Sequence, residues 1–148
     1  MQAVEFSKGD YTALLIPGNH DYASFTAAEL TEIGGFRIPP YTVPLPGCKW
    51  IVLDANYRSD GRRFDIAGVD WKDSNLPPEQ LAFLRRELAT GDEPCVVLVH
   101  ENLDPEVQRD HIIRNAGEVR QMLADSGRVK LVLQGHYHPG AEHTLDGI

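Results

Sequence analysis

Three short apolar runs are each followed at once by residues able to bind metal or move protons. Thr12–Ile16 (TALLI) leads into Pro17-Gly18-Asn19-His20-Asp21, Cys95–Val99 (CVVLV) into His100, and Val129–Leu133 (VKLVL) into Gln134-Gly135-His136-Tyr137-His138. Four of the six histidines thus fall within five residues of the end of such a run. In open α/β sheets ligands bind beyond the carboxyl ends of strands, so three strands here would deliver Asn19, His20, His100, His136 and His138 to one edge. Imidazole nitrogen with a carboxamide oxygen suits divalent Mn, Fe, Zn or Ni rather than ions that seek thiolate. The two-residue offset between His136 and His138 lets both converge, in a tight turn, on one ion or on two adjacent ions. Gly135 is expected to let the backbone leave the strand sharply.

The elements that must position these residues read as alternating strands and helices. Trp50–Leu53 (WIVL) adds a fourth apolar run, and Cys95–Val99 is apolar enough for a strand buried on both faces. Thr26-Ala-Ala-Glu29 is a capping box that opens a helix to about Ile33, stopped by Gly34-Gly35. Pro77-Pro78 starts a second helix with Leu81, Leu84 and Leu88 on one face and Gly91 as its stop. A third runs from Asn115 or Ala116 to Asp125, with Val119, Met122 and Leu123 inward and Gly127 closing it. This order predicts a layered α/β fold, a mixed sheet flanked by helices. Pro39–Gly47 (PPYTVPLPG) is too rich in proline for a central strand and is expected to be a surface loop. Residues 56–75 show no clean period and read as a long loop near the site.

Composition excludes several classes. The 148 residues suit one domain, 1–148, and no apolar run approaches the roughly 18 residues of a membrane span. No basic head precedes an apolar stretch at the N-terminus, so no signal peptide is expected. The net charge of −8 argues against a nucleic-acid partner, whereas bound metal would still allow a phosphorylated small-molecule substrate. Two cysteines, Cys48 and Cys95, make no disulfide framework, and a reducing cytoplasm is the default reading.

Together, Gly18-Asn19-His20-Asp21, a strand ending at His100, and Gly135-His136-Tyr137-His138 resemble the last three signature motifs of the calcineurin-like metallophosphoesterases. Trp50–Ala55 (WIVLDA) and the LPPEQLAFLRREL helix resemble the branch related to ADP-ribose and CDP-alcohol diphosphatases. The resemblance runs from about Leu14 to the C-terminus and implies a metal-dependent phosphohydrolase acting on phosphate monoesters, diesters or diphosphates. It implies two adjacent divalent ions that activate a water for in-line attack on phosphorus. Asn19, His100 and His136 would hold one ion and His138 the other. His20 would protonate the leaving oxygen or stabilise the transition state, oriented by Asp21.

The chain also departs from that pattern. The family's D-x-H and G-D-x-x-D motifs normally lie far upstream of GNHD, and only seventeen residues precede Gly18, without a D-x-H among them. The chain resembles a member lacking its N-terminal strands, so a centre with one ion is expected in place of two. A sheet edge left open would favour a homodimer. The alternative is a catalytically impaired remnant that binds metal or serves as an oligomerisation module. Outside the motifs, Glu101 reads as a neighbour of the site and His111 as a loop residue. Asn115 reads as a helix cap, Arg58, Arg62 and Arg63 as a solvated loop, and Trp71 as packing, with base stacking a minority reading.

Overall fold

The computed structural model describes residues 13–148. Four strands form one mixed sheet in the order β1 (Tyr41–Leu45), β2 (Cys48–Val52), β3 (Cys95–Val99) and β4 (Val129–Gln134). The first pair is antiparallel, and β2, β3 and β4 are mutually parallel. Strand β1 lies where a loop was expected. Proline at 44 is compatible with it because β1 is an edge strand, where an N–H missing from the ladder leaves no partner unsatisfied.

Two helices cover one face of the sheet. Helix α3 (Pro78–Ala89) brings Leu84 and Leu88, and α4 (Ala116–Ser126) brings Val119 and Leu123, against Ile51, Leu53, Val97 and Val99. The alternate residues Val52 and Leu98 point to the other face, where Tyr41, Trp50 and Ile16 pack on them. The last carbonyls of α3 are capped by cations. Lys49 Nζ donates to Glu87 and Thr90, and the Arg128 guanidinium to Leu88 and Thr90. Two short helices, α1 (Asn19–Ser24) and α2 (Ala27–Gly34), pack through Tyr22 and Leu30 on Phe64 of the long loop. The Thr26–Glu29 capping box forms as expected, and Gly35 ends α2 at φ 68°.

Several sequence expectations fail for identifiable reasons. The described part of the first apolar run, residues 13–16, is not a strand; Ile16 packs on the sheet face instead of joining the ladder. Residues 142–148 add no strand, and Leu145 and Ile148 close a turn through each other's backbone at 2.9 Å. Asn115 starts α4 but its side chain makes no cap. It pairs with both backbone groups of Leu76, accepting at 3.0 Å and donating at 2.9 Å. Arg63 is not solvated: it lies over the Tyr22 and Tyr57 rings and 3.6 Å from Asp54 Oδ2. No helix among the described residues is long and apolar enough to cross a membrane.

Candidate metal centre

His100 leaves the end of β3 and His136 follows the end of β4, neighbouring strands paired at Val99 and Gln134. Asn19 arrives from irregular chain as the first residue of α1, so two strands and one helix start, not three strands, bring the residues together. The His100 ring sits in a slot made by two glycines. A Cβ on Gly18 would lie 2.6 to 2.8 Å from three of its ring atoms, and one on Gly135 would lie 3.1 Å from its Nδ1. Both motifs therefore need glycine for close approach. The sharp turn expected at Gly135 falls one residue later, at His136, whose φ is 59°. That conformation is uncommon outside glycine and tends to be held where the fold has a use for it.

These constraints bring two imidazole nitrogens to one carboxamide oxygen. His100 Nε2 is 3.1 Å and His136 Nδ1 is 3.2 Å from the same oxygen, Asn19 Oδ1. With bonds of roughly 2.1 Å, two ligands of one ion lie about 3.0 Å apart at a right angle and about 3.4 Å apart at a tetrahedral one. Both spacings to Asn19 Oδ1 fall within that interval, so each imidazole is compatible with sharing one divalent ion with the carboxamide. Among the described residues no group of three His, Cys, Asp or Glu side chains could hold an ion; the set is two imidazoles completed by a carboxamide. Burial pushes both imidazoles down to about 4. For His100 the nearby Asp21 opposes this, while His20 and His138 add to it. Both rings are thus neutral at pH 7, the form in which a ring nitrogen has a lone pair to donate.

The Asn19 turn is anchored to the end of β2. Asp54, fully buried, accepts from the Tyr22 hydroxyl at 2.8 Å, and Tyr22 lies one helical turn after Asn19. Its other oxygen accepts from the backbone and side chain of Asn56 at 2.9 and 2.8 Å. Asn56 in turn donates to the carbonyl of Pro17, two residues before Asn19. Gln80 of α3 holds the backbone of Asp54 from the other side, accepting from its N–H and donating to its carbonyl, both at 2.9 Å.

Two rings from outside the motifs, Trp71 and His111, flank His136. Trp71, on a short 3₁₀ turn of the long loop, lies 5.5 Å from the His136 ring and 5.0 Å from that of His111, between centroids. His111 lies 5.0 Å from His136 and 5.3 Å from Tyr137. Loop residues far apart in sequence carry no periodic signal, which is why His111 read as unremarkable.

The profile of the calcineurin-like phosphoesterases matches residues 3–140. The chain belongs to this family. A protein from Escherichia coli (strain K12) described as 3′,5′-cyclic adenosine monophosphate phosphodiesterase CpdA is 29% identical over 136 residues, covering 89% of this chain and 45% of its own length. A protein of the same description from Haemophilus influenzae is 26% identical with the same coverage. The chain thus spans about half the length of the curated relatives it matches. No solved structure gives a match.

The remaining motif residues of this calcineurin-like chain lie around the three converging atoms. His20 and His138 are both exposed, and close enough for their charge to be felt at His100 and His136. Asp21 accepts from the backbone N–H of Gly18 at 2.8 Å, so its carboxylate closes the turn that presents Asn19. Glu101 is fully buried directly after His100, and burial, aided by Asp54, raises its pKa well above the usual carboxylate range.

Proposed function

We propose that this chain is the metal-holding part of a phosphoester hydrolase, with Asn19, His100 and His136 binding one divalent ion of the Mn, Fe, Zn or Ni class. The observation that carries the proposal is the approach of His100 Nε2 and His136 Nδ1 to one oxygen, Asn19 Oδ1, at 3.1 and 3.2 Å. When bound, such an ion lowers the pKa of a water and offsets negative charge on phosphoryl oxygens. The protein supplies two neutral imidazoles and a carboxamide, fixed by the glycine slot and the Asp54 anchor. His20, exposed and next to Asn19 in the chain, is the proposed donor of a proton to the leaving oxygen. His138 is the proposed ligand of an adjacent second ion.

The substrate class is a phosphodiester or diphosphate of small size. The relatives described as cyclic AMP phosphodiesterases favour a cyclic phosphodiester, whereas the WIVLDA and α3 resemblance favours a nucleotide diphosphate. Assays of bis(p-nitrophenyl) phosphate, p-nitrophenyl phosphate, cyclic AMP and ADP-ribose, each with and without Mn²⁺, separate these. Metal-dependent turnover that is lost in His20→Ala is the expected result. Metal binding without turnover of any of the four selects the second reading, an impaired remnant that binds metal.

Among the described residues nothing pairs with the outer edge of β4, and a second copy would pair there. Leu131 and Leu133 are 46% and 44% exposed along it. Light scattering after size exclusion is expected to give the mass of a dimer that Leu133→Lys reduces to a monomer. A monomeric wild-type chain removes this partner.

A further inference from the structure

Two neighbouring histidines beside the candidate centre each keep a ring nitrogen that is buried and without a hydrogen-bond partner: His136 Nε2 and His111 Nδ1. Their ring centroids are 5.0 Å apart. Each nitrogen stands roughly 1.1 Å from its centroid, so the two come to about 2.8 Å, within hydrogen-bond range, when both face each other along the line between the rings. Left apart, two buried polar atoms would each carry a desolvation cost of about 1–3 kcal/mol.

We infer that His111 is a positioning residue for the metal ligand His136, accepting at Nδ1 the proton that His136 carries on Nε2. The role rests on the proposal that His136 Nδ1 faces an ion. A metal-bound imidazole almost always donates its other N–H to a fixed partner, which sets its tautomer and ring orientation. His136 directs Nδ1 toward Asn19, which leaves Nε2 as the donor. Among the described residues no carboxylate, carbonyl or hydroxyl takes that proton.

The surroundings of His111 suit the role. Its backbone is held by Gln108 and Asn102, with its N–H donating to the Gln108 carbonyl and its carbonyl accepting from Asn102. Trp71 packs on both imidazoles, and Tyr137 closes on His111 from the side. Ion pairs from Lys72 to Asp110 at 2.8 Å and from Arg114 to Asp73 at 3.3 Å tie the loop bearing Trp71 to the one bearing His111. The two loops therefore form one support against the His136 ring.

The test is a Co²⁺ titration followed by visible absorption on wild type, His111→Phe and His111→Asn. Phenylalanine keeps the ring packing and removes the acceptor; asparagine restores an acceptor near the Nδ1 position. The expected result is a 10–100-fold weaker Kd for His111→Phe with a changed absorption envelope, and recovery of both by His111→Asn. Phenylalanine binding within about twofold of wild type, with the same spectrum, overturns the role. So does a folded His111→Asn that binds as poorly as phenylalanine. If His111→Phe fails to fold, His111→Leu, which also lacks an acceptor, takes its place in the comparison with His111→Asn. A wild-type chain that takes up no Co²⁺ overturns the metal centre itself, an outcome distinct from an unaffected variant of a binding chain.

Discussion

His136→Ala is expected to weaken divalent-metal binding at least a hundredfold while leaving the chain folded. Losing a residue that only supports a ligand costs about 10–100-fold in affinity, so losing one of three protein donors starts at the top of that range. The fold should tolerate the change. His136 is only half-buried, and alanine at φ 59° adds only a small backbone cost over histidine, which tolerates that region better. Calorimetric titration with Mn²⁺ or Zn²⁺ reads the affinity. The melting temperature should stay within about 4 °C, the shift that 1 kcal/mol produces in a chain of this length. Unchanged metal uptake in a folded variant takes His136 out of the ligand set.

Asp54→Ala is expected to have the largest effect on stability, about 3–5 kcal/mol. The substitution leaves the Tyr22 hydroxyl and both donors of Asn56 without acceptors in a fully buried place, and leaves Arg63 facing no charge. Much of a typical domain stability would be lost, with a fall in melting temperature of roughly 6–20 °C. Asp54→Asn should cost less, because one acceptor oxygen remains. Burial is the largest influence on this carboxyl and raises its pKa. Its contribution is therefore fully present below its unfolded value and declines as pH rises through the raised folded one. The gap between wild type and Asp54→Asn should narrow as pH increases from about 4. Urea unfolding at several pH values measures it, and a gap that widens with pH contradicts the assignment.

What was legible in the sequence follows from local signals. The strands at Cys95 and Val129 and all three longer helices announce themselves by apolar runs, prolines at helix starts and glycines at their ends. Strand β1 did not, because Pro44 argues against a central strand and says nothing about an edge one. The run ending at Ile16 shows the converse: apolar residues suffice to cover a sheet face, and no periodic pattern separates that from joining the ladder. Asn19, His100 and His136 were readable because each follows an apolar run at once. Nothing local marks Gly18 as the wall of the His100 slot, His136 as the left-handed residue, or His111 as the neighbour of His136. Those are properties of segments that meet only after folding.

The central claim is that one divalent ion sits between Asn19, His100 and His136. Crystals grown with Zn²⁺, with data collected above and below the zinc absorption edge, test it most directly. The account predicts an anomalous peak within roughly 2.0–2.2 Å of Asn19 Oδ1, His100 Nε2 and His136 Nδ1 together. A peak held by other residues, or the three atoms still hydrogen-bonded to one another at saturating metal, would contradict it.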